Sequence, residues 1–227
     1  MKQITNHLYQ ISLGAVNAFV LEDNGLTLID TGLPGSTDQL FAALRQAGKN
    51  PADIKHIILT HLHADHSGNA AAIQRQTNAR VYAHHADAPL LEQGVSGRPL
   101  TLTPGLVNKL IYKFFIKSPT TTVAPVRVDE QLSDGDVLPL LGGIQVVHTP
   151  GHSAGHIALL LPSEGVLIAA DLCSHVFGLA YSTLYEDQAL GRQSILKAAA
   201  LSFDTAVFGH GRPLHGQANR QLRASFA

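Results

Sequence analysis

The heptapeptide THLHADH (residues 60–66) constrains this chain more than any other feature. It sets three histidines and an aspartate (His61, His63, Asp65 and His66) within six residues, directly after the apolar run HIILT (56–60) and just before Gly68. A run that short and that apolar reads as a buried strand. The polar side chains therefore stand on a turn at a strand's C-terminal end, where short imidazole and carboxylate arms can converge on one or two metal ions. Zinc accepts His nitrogens and Asp oxygens at about 2.0–2.2 Å, and its catalytic sites keep one position open for water. The whole chain holds 13 His in 227 residues, many of them clustered, and histidine is the commonest metal ligand.

A second cluster is HTPGHSAGH (148–156). Pro150 and Gly151 end a strand at His148 and turn the chain, so His152 is presented from a loop. His148 and His156 lie at strand ends and suit hydrogen bonds to backbone or to a ligand-bearing loop. Two weaker candidates follow, Asp171 in AADLCS (169–174) and His210 in FGHG (208–211). Each is ambiguous alone. Together they share one property with the first cluster, a place at the C-terminal end of an apolar strand, where loops carry function.

The rest of the chain alternates strands and helices. Strands are expected at 8–12, 16–22, 26–30, 56–60 and 80–84, then at 143–149, 157–161, 166–170 and 205–210. Helices are expected from a Ser36 cap to about Ala47, from about Gly68 to Gln76, and from Asp187 to Ala200. GLTLID, ending at Asp30, is loosely like GVLIAAD, ending at Asp171, which hints at a two-fold internal repeat.

Between the halves, residues 86–127 hold five prolines and no strand pattern at their centre. Within them, LVNKLIYKFFIK (106–117) spaces Leu106, Val107, Leu110, Ile111, Phe114 and Phe115 as one helical face, with Lys109, Lys113 and Lys117 on another. This helical insertion is too short to bury a core of its own, so the reading is one domain over 1–227. The insertion helix could be a lid over the site, core packing or a homodimer contact. Three lysines are too modest a basic face for a membrane-surface helix.

Composition removes other classes. Apolar residues are 45% and the formal charge is −1, a globular balance without the basic excess of a nucleic-acid binder. The single Cys173 cannot form an internal disulfide, the N-terminus has no secretory h-region, and no apolar run approaches a membrane span. The expectation is a cytoplasmic protein with a small-molecule substrate.

HLHADH, PGHSAGH, a strand-end Asp and a GHG histidine, in that order and with LIDTG (28–32) near the start, resemble the metallo-β-lactamase superfamily over about residues 8 to 212. The resemblance implies an α/β fold, a four-layer αββα sandwich with two zinc ions (iron or manganese in some branches) at one edge of two sheets. It also implies the ligand pairing. His61, His63 and His152 would hold the first ion, Asp65, His66 and His210 the second, and Asp171 would bridge them, with Asp30, His148 and His156 in support. An aspartate at 171 resembles the glyoxalase II and lactonase branches, whereas true β-lactamases usually carry Cys or Ser there. Residues 211–227 alone follow His210, so no helical C-terminal domain of the long glyoxalase II type is expected. Homoserine lactonases place a catalytic Tyr three residues after the bridging Asp. Ser174 stands there in this chain, with His175 next, and Tyr181 could reach in.

The chemistry implied is metal-assisted hydrolysis. Two cations lower the pKa of a shared water, and the resulting hydroxide attacks a carbonyl carbon. Asp65 can orient that water and accept its proton. Lactones, thioesters and other esters are the expected substrates, with Phe114, Phe115, His175 and Tyr181 as candidate substrate contacts. The alternatives are an iron-dependent oxidoreductase of the persulfide dioxygenase kind, and a β-lactamase or phosphodiesterase branch.

Overall fold

The computed structural model describes residues 1–116 and 122–227, apart from the side chain of Phe115. The chain divides into two compact units, Met1–Ser96 with Thr121–Ser133, and Gly97–Thr120 with Asp134–Ala227.

The first unit is a seven-stranded mixed sheet in the order β1 (Lys2–Gln3), β2 (Leu8–Ser12), β3 (Asn17–Glu22), β4 (Leu26–Ile29), β5 (Ile54–Leu59), β6 (Arg80–His84) and β8 (Glu130–Leu132). The intervening β7 (Thr101–Leu102) belongs to the second unit. Strands β2 to β4 run antiparallel as a meander, and β4 pairs parallel with β5 after a crossover through α1 (Thr37–Gln46). Leu40, Phe41 and Leu44 lie on one face of α1 and join Leu28, Ile57 and Val81 in one buried cluster.

The second unit repeats that plan. β9 (Val137–Leu138), β10 (Ile144–His148), β11 (Ile157–Leu161), β12 (Val166–Ala170) and β14 (Thr205–Phe208) form a five-stranded sheet. β10 to β12 are antiparallel, and β12 pairs parallel with β14 after a crossover through α6 (Gln188–Ala199). Every residue of β11 and β12 is buried, so their sequences read as unbroken apolar runs rather than alternation. Ile195 and Ala198 of α6 share a cluster with Leu222 and Phe226 of α7 (Ala218–Phe226). The strand–strand–helix–strand order thus occurs twice, with Asp30 in one unit and Asp171 in the other just past the strand that leads into the crossover. The hint of internal repetition has its structural counterpart.

Several local expectations need correction. Ser36 makes no side-chain cap on α1. Asn69 does the polar work there, accepting the backbone N–H of Gly35 and Ser36 on Oδ1. The helix expected from about Gly68 to Gln76 is present as α3 (Ala70–Thr77), but a short α2 (Ala64–Ser67) that was not expected precedes it. The chain bends where Gly68 meets Ala64 O and Pro34, which a Cβ would approach to about 2.5 Å. In the insertion, α4 (Ala88–Glu92) buries Ala88 and Leu91, and β7 is a short strand near the centre, pairing with β13 (Leu184–Tyr185). The amphipathic segment is an α-helix only over α5 (Leu106–Ile111), followed by a π turn over Tyr112–Ile116. Lys117 and the Phe115 side chain lie outside the described residues. Among those described, no helix is long and apolar enough to cross a membrane.

Candidate metal centre

In the first unit His61 and His63 stand on the β5–α2 turn, and Asp65 and His66 follow on α2. His61, His63 and His66 are buried and Asp65 is half-buried. His61 and His63 each offer a ring nitrogen within 4.8 Å of the other, and the same holds for His61 with His66 and for Asp65 with His66. The rings of His61 and His63 stand edge to face at 4.6 Å, while those of His61 and His66 lie 4.2 Å apart.

Asp30 organises this turn. It is fully buried at φ +60, a backbone region that Asp tolerates better than most residues. Its Oδ1 accepts the Thr60 N–H at 2.8 Å, and its Oδ2 accepts the Thr60 hydroxyl at 2.7 Å and His66 Nδ1 at 2.8 Å. These bonds fix tautomers. The Thr60 hydroxyl gives its one proton to the carboxylate, so its 3.0 Å contact to His61 Nδ1 must be donated by the imidazole. His61 and His66 therefore carry their protons on Nδ1 and present a lone pair at Nε2, the form a metal requires.

The second unit supplies His152, Asp171 and His210. His152 Nδ1 donates to Leu184 O at 2.9 Å, so its lone pair too is on Nε2. Asp171 follows a β-bulge, where the β12–β14 register shifts between Ile168 and Ala170 and Ala170 takes φ +46. Bulges re-aim side chains at functional sites. Here one oxygen, Asp171 Oδ2, lies 3.4 Å from His152 Nε2 and 3.1 Å from His210 Nε2.

Glycines let loops approach closely. Gly151 (φ +131) lies against the backbone of Gly191 in α6, where a Cβ would come within 2.2 Å of the Gly191 nitrogen. Gly211 (φ +104) lies against the backbone of His175 at the same separation.

The remaining candidates fall into distinct environments. His156 has both ring nitrogens engaged, Nε2 accepting the Asp171 N–H at 3.1 Å and Nδ1 meeting the Thr149 hydroxyl at 2.8 Å. His148 Nε2 bonds Ala154 O. His175 bonds Arg212 O through Nδ1 and the His210 carbonyl through its backbone N–H, which ties it to the His210 loop. Tyr181 is half-buried with its ring against Tyr185 and Phe226. Phe114 is exposed on the π turn. Burial, with Asp171 adding to it, pushes the Cys173 thiol above its ordinary range, so it stays protonated and is no nucleophile.

Four residues that pattern reading passed over hold the site's loops. Asn69 bonds the carbonyls of Thr31, Gly32 and Leu33. Asp87, fully buried, accepts the Leu62 N–H between His61 and His63. Tyr185 donates its hydroxyl to Leu172 O, and Glu186 braces the His152 loop through the Ala154 N–H. Isolated polar residues outside any motif give no signal of such a role. The SGN that closes the first motif is the one hint, at Asn69.

The family model of the metallo-beta-lactamase superfamily matches residues 11–210. The probable metallo-hydrolase YflN of Bacillus subtilis is 30% identical over 86% of this chain and 79% of its own. A hydroxyacylglutathione hydrolase of Rhodopseudomonas palustris is 29% identical over 84% of this chain and 63% of its own. The structure of a subclass B3 metallo-beta-lactamase of Bradyrhizobium japonicum superposes with a TM-score of 0.71 at 24% identity, over 98% of this chain and 89% of its own. That likeness bears on fold alone, and it agrees with the α/β class read from the sequence.

Proposed function

The chain belongs to the metallo-β-lactamase superfamily, and from that premise we propose that it is a binuclear zinc hydrolase that cleaves esters, lactones or thioesters. His61, His63 and His152 would hold one ion and Asp65, His66 and His210 the other, with Asp171 common to both. The observation that carries this reading is the placement of Asp171 Oδ2 within 3.4 Å of His152 Nε2 and 3.1 Å of His210 Nε2. One carboxylate beside a nitrogen assigned to each ion is what a bridging ligand needs. The donor set fits as well, since His61, His66 and His152 each present Nε2 unprotonated. A mixed imidazole and carboxylate set suits zinc.

When bound, two zinc ions acidify a water and polarise the substrate's carbonyl oxygen. The protein's own part is to place and to relay. Asp65, half-buried beside His66, accepts the proton of the attacking water and orients it. Asp30, Thr60 and Leu184 hold the imidazoles in register, which keeps the geometry through turnover. The apolar face of α5, with Leu106, Val107 and Leu110 exposed, is suited to the acyl part of a substrate. An aspartate at 171 and a hydroxyacylglutathione hydrolase among the relatives favour ester-type carbonyls over β-lactams.

The test is a screen of zinc-loaded protein against lactones, thioesters, simple esters, β-lactams and phosphodiesters, with oxygen uptake followed in an iron-loaded sample. Fastest turnover on an ester-type carbonyl is expected. Turnover confined to β-lactams or phosphodiesters, or oxygen uptake without hydrolysis, would overturn the reading.

A further inference from the structure

We propose that Glu186 is a positioning residue for His152, and that Arg98 joins the insertion to it. The inference rests on the reading of His152 as a metal ligand. Residues 184–187 grip the 151–154 turn at four points. Leu184 O accepts His152 Nδ1 at 2.9 Å, and the Glu186 N–H donates to His152 O at 3.3 Å. The Glu186 carboxylate accepts the Ala154 N–H at 2.9 Å, and the Asp187 N–H donates to Gly151 O at 2.9 Å. Glu186 thus holds the turn twice, through its backbone at His152 itself and through its side chain two residues on.

The other carboxylate oxygen of Glu186 faces Arg98 Nη1 at 3.3 Å. Both side chains are largely shielded, 24% and 15% exposed, so this pair is screened less than a surface pair. Arg98 lies in the insertion, which is laced to the same segment by β7. Leu102 pairs with Leu184, and Thr103 donates its hydroxyl to Ser182 O at 2.7 Å and its N–H to Thr183 O at 2.9 Å. The strand that carries the carbonyl holding His152 is therefore paired to the insertion, and the Arg98–Glu186 contact is its side-chain counterpart. Metal affinity at His152 then depends on an arginine 54 positions earlier in sequence (152 − 98).

Zinc affinity of the full chain, measured by competition with a chromophoric chelator, and the melting temperature of the metal-free protein form the test. Partners that orient a metal ligand are typically worth about 10–100-fold in affinity. Glu186→Ala should therefore weaken one of the two zinc ions about tenfold, and Glu186→Gln, which keeps an acceptor for Ala154, should restore most of it. Arg98→Met should weaken the same ion with the metal-free melting temperature unchanged. If Glu186→Ala binds both ions as tightly as the wild type, the inference is wrong, even if its melting temperature falls. Should Glu186→Ala fail to fold, unaltered zinc affinity in Arg98→Met overturns it instead. His152→Ala separates the two claims. If that variant keeps both ions, the metal reading itself fails, whereas loss of one ion there with none in the Glu186 and Arg98 variants sinks this inference alone.

Discussion

His66 Nδ1 donates to Asp30 Oδ2 across 2.8 Å, with both side chains fully buried. Asp30 also accepts two bonds from Thr60, whose hydroxyl orients His61. One carboxylate thus fixes the proton positions of two candidate ligands. Removing one partner so that a buried donor is left unsatisfied costs about 1–3 kcal/mol. Asp30→Ala should therefore lower unfolding free energy by about that much and abolish tight binding of the ion at His66. Asn tolerates the φ +60 conformation but brings an amide, so Asp30→Asn should fold better while zinc affinity still drops. Denaturant melts with zinc titrations check both, and unaltered affinity in Asp30→Asn would argue against the orienting role.

Gly211 admits no side chain, because a Cβ would stand 2.2 Å from the His175 backbone. Gly211→Ala should displace the His210 loop, which hangs on the His175 N–H to His210 O bond. The expected result is a loss of about 1–3 kcal/mol in stability and weaker binding of one ion. A crystal structure of the variant with His210 unmoved would contradict this.

Asp134 is drawn in two directions. Burial pushes its pKa up, but Lys197 and the His148 N–H prevail and hold it below its ordinary value of 3.8. A depressed carboxylate stabilises the fold above its unfolded pKa, and that contribution is lost as pH falls through the folded value. The stability gap between the wild type and Asp134→Asn should thus be full near neutrality and shrink in acid below about pH 4. Added salt should narrow it, since the Lys197 side of the pair is exposed. Urea melts over a pH series check the sign, and a gap that widens in acid would refute it.

Phe114 is exposed on the π turn and flanked by Lys113, whose ammonium lies 5.5 Å from the ring. If α5 and this turn cover the substrate's acyl part, Phe114→Ala should raise KM for long-chain esters about tenfold, as expected from about 1.5 kcal/mol of apolar burial. Short-chain kcat should stay constant, because on this account the metal centre and not Phe114 carries the bond-breaking step. Equal losses on long and short chains would assign the segment to scaffold.

Legibility in the sequence followed the kind of signal. The strands carrying His61, His152, Asp171 and His210 were readable because buried β-runs such as VLIAA and TAVF are short, apolar and bounded by turns. The ligand candidates were readable because histidines crowded at strand ends point to metal binding more strongly than to packing. Asn69, Asp87 and Glu186 were not, since each acts on the backbone of a segment distant in sequence, and a lone amide or carboxylate carries no periodicity. Ser36 misled for a related reason. A Ser before a helix suggests a cap, but here Asn69, over thirty positions away, takes the N–H groups at the helix entry. The insertion's apolar spacing was correct as far as Ile111, yet spacing alone cannot distinguish an α-helix from the π turn that continues it.

The central claim, that Asp171 joins two ions in a hydrolytic centre, is tested most directly by metal counting with turnover. Elemental analysis of the wild type and of Asp171→Ala, each loaded with zinc and dialysed, should give about two ions per chain and about one, respectively. Ester hydrolysis by the variant should fall by about two orders of magnitude or more. Two ions retained with full activity in Asp171→Ala, or a wild-type chain that binds none, would contradict the account.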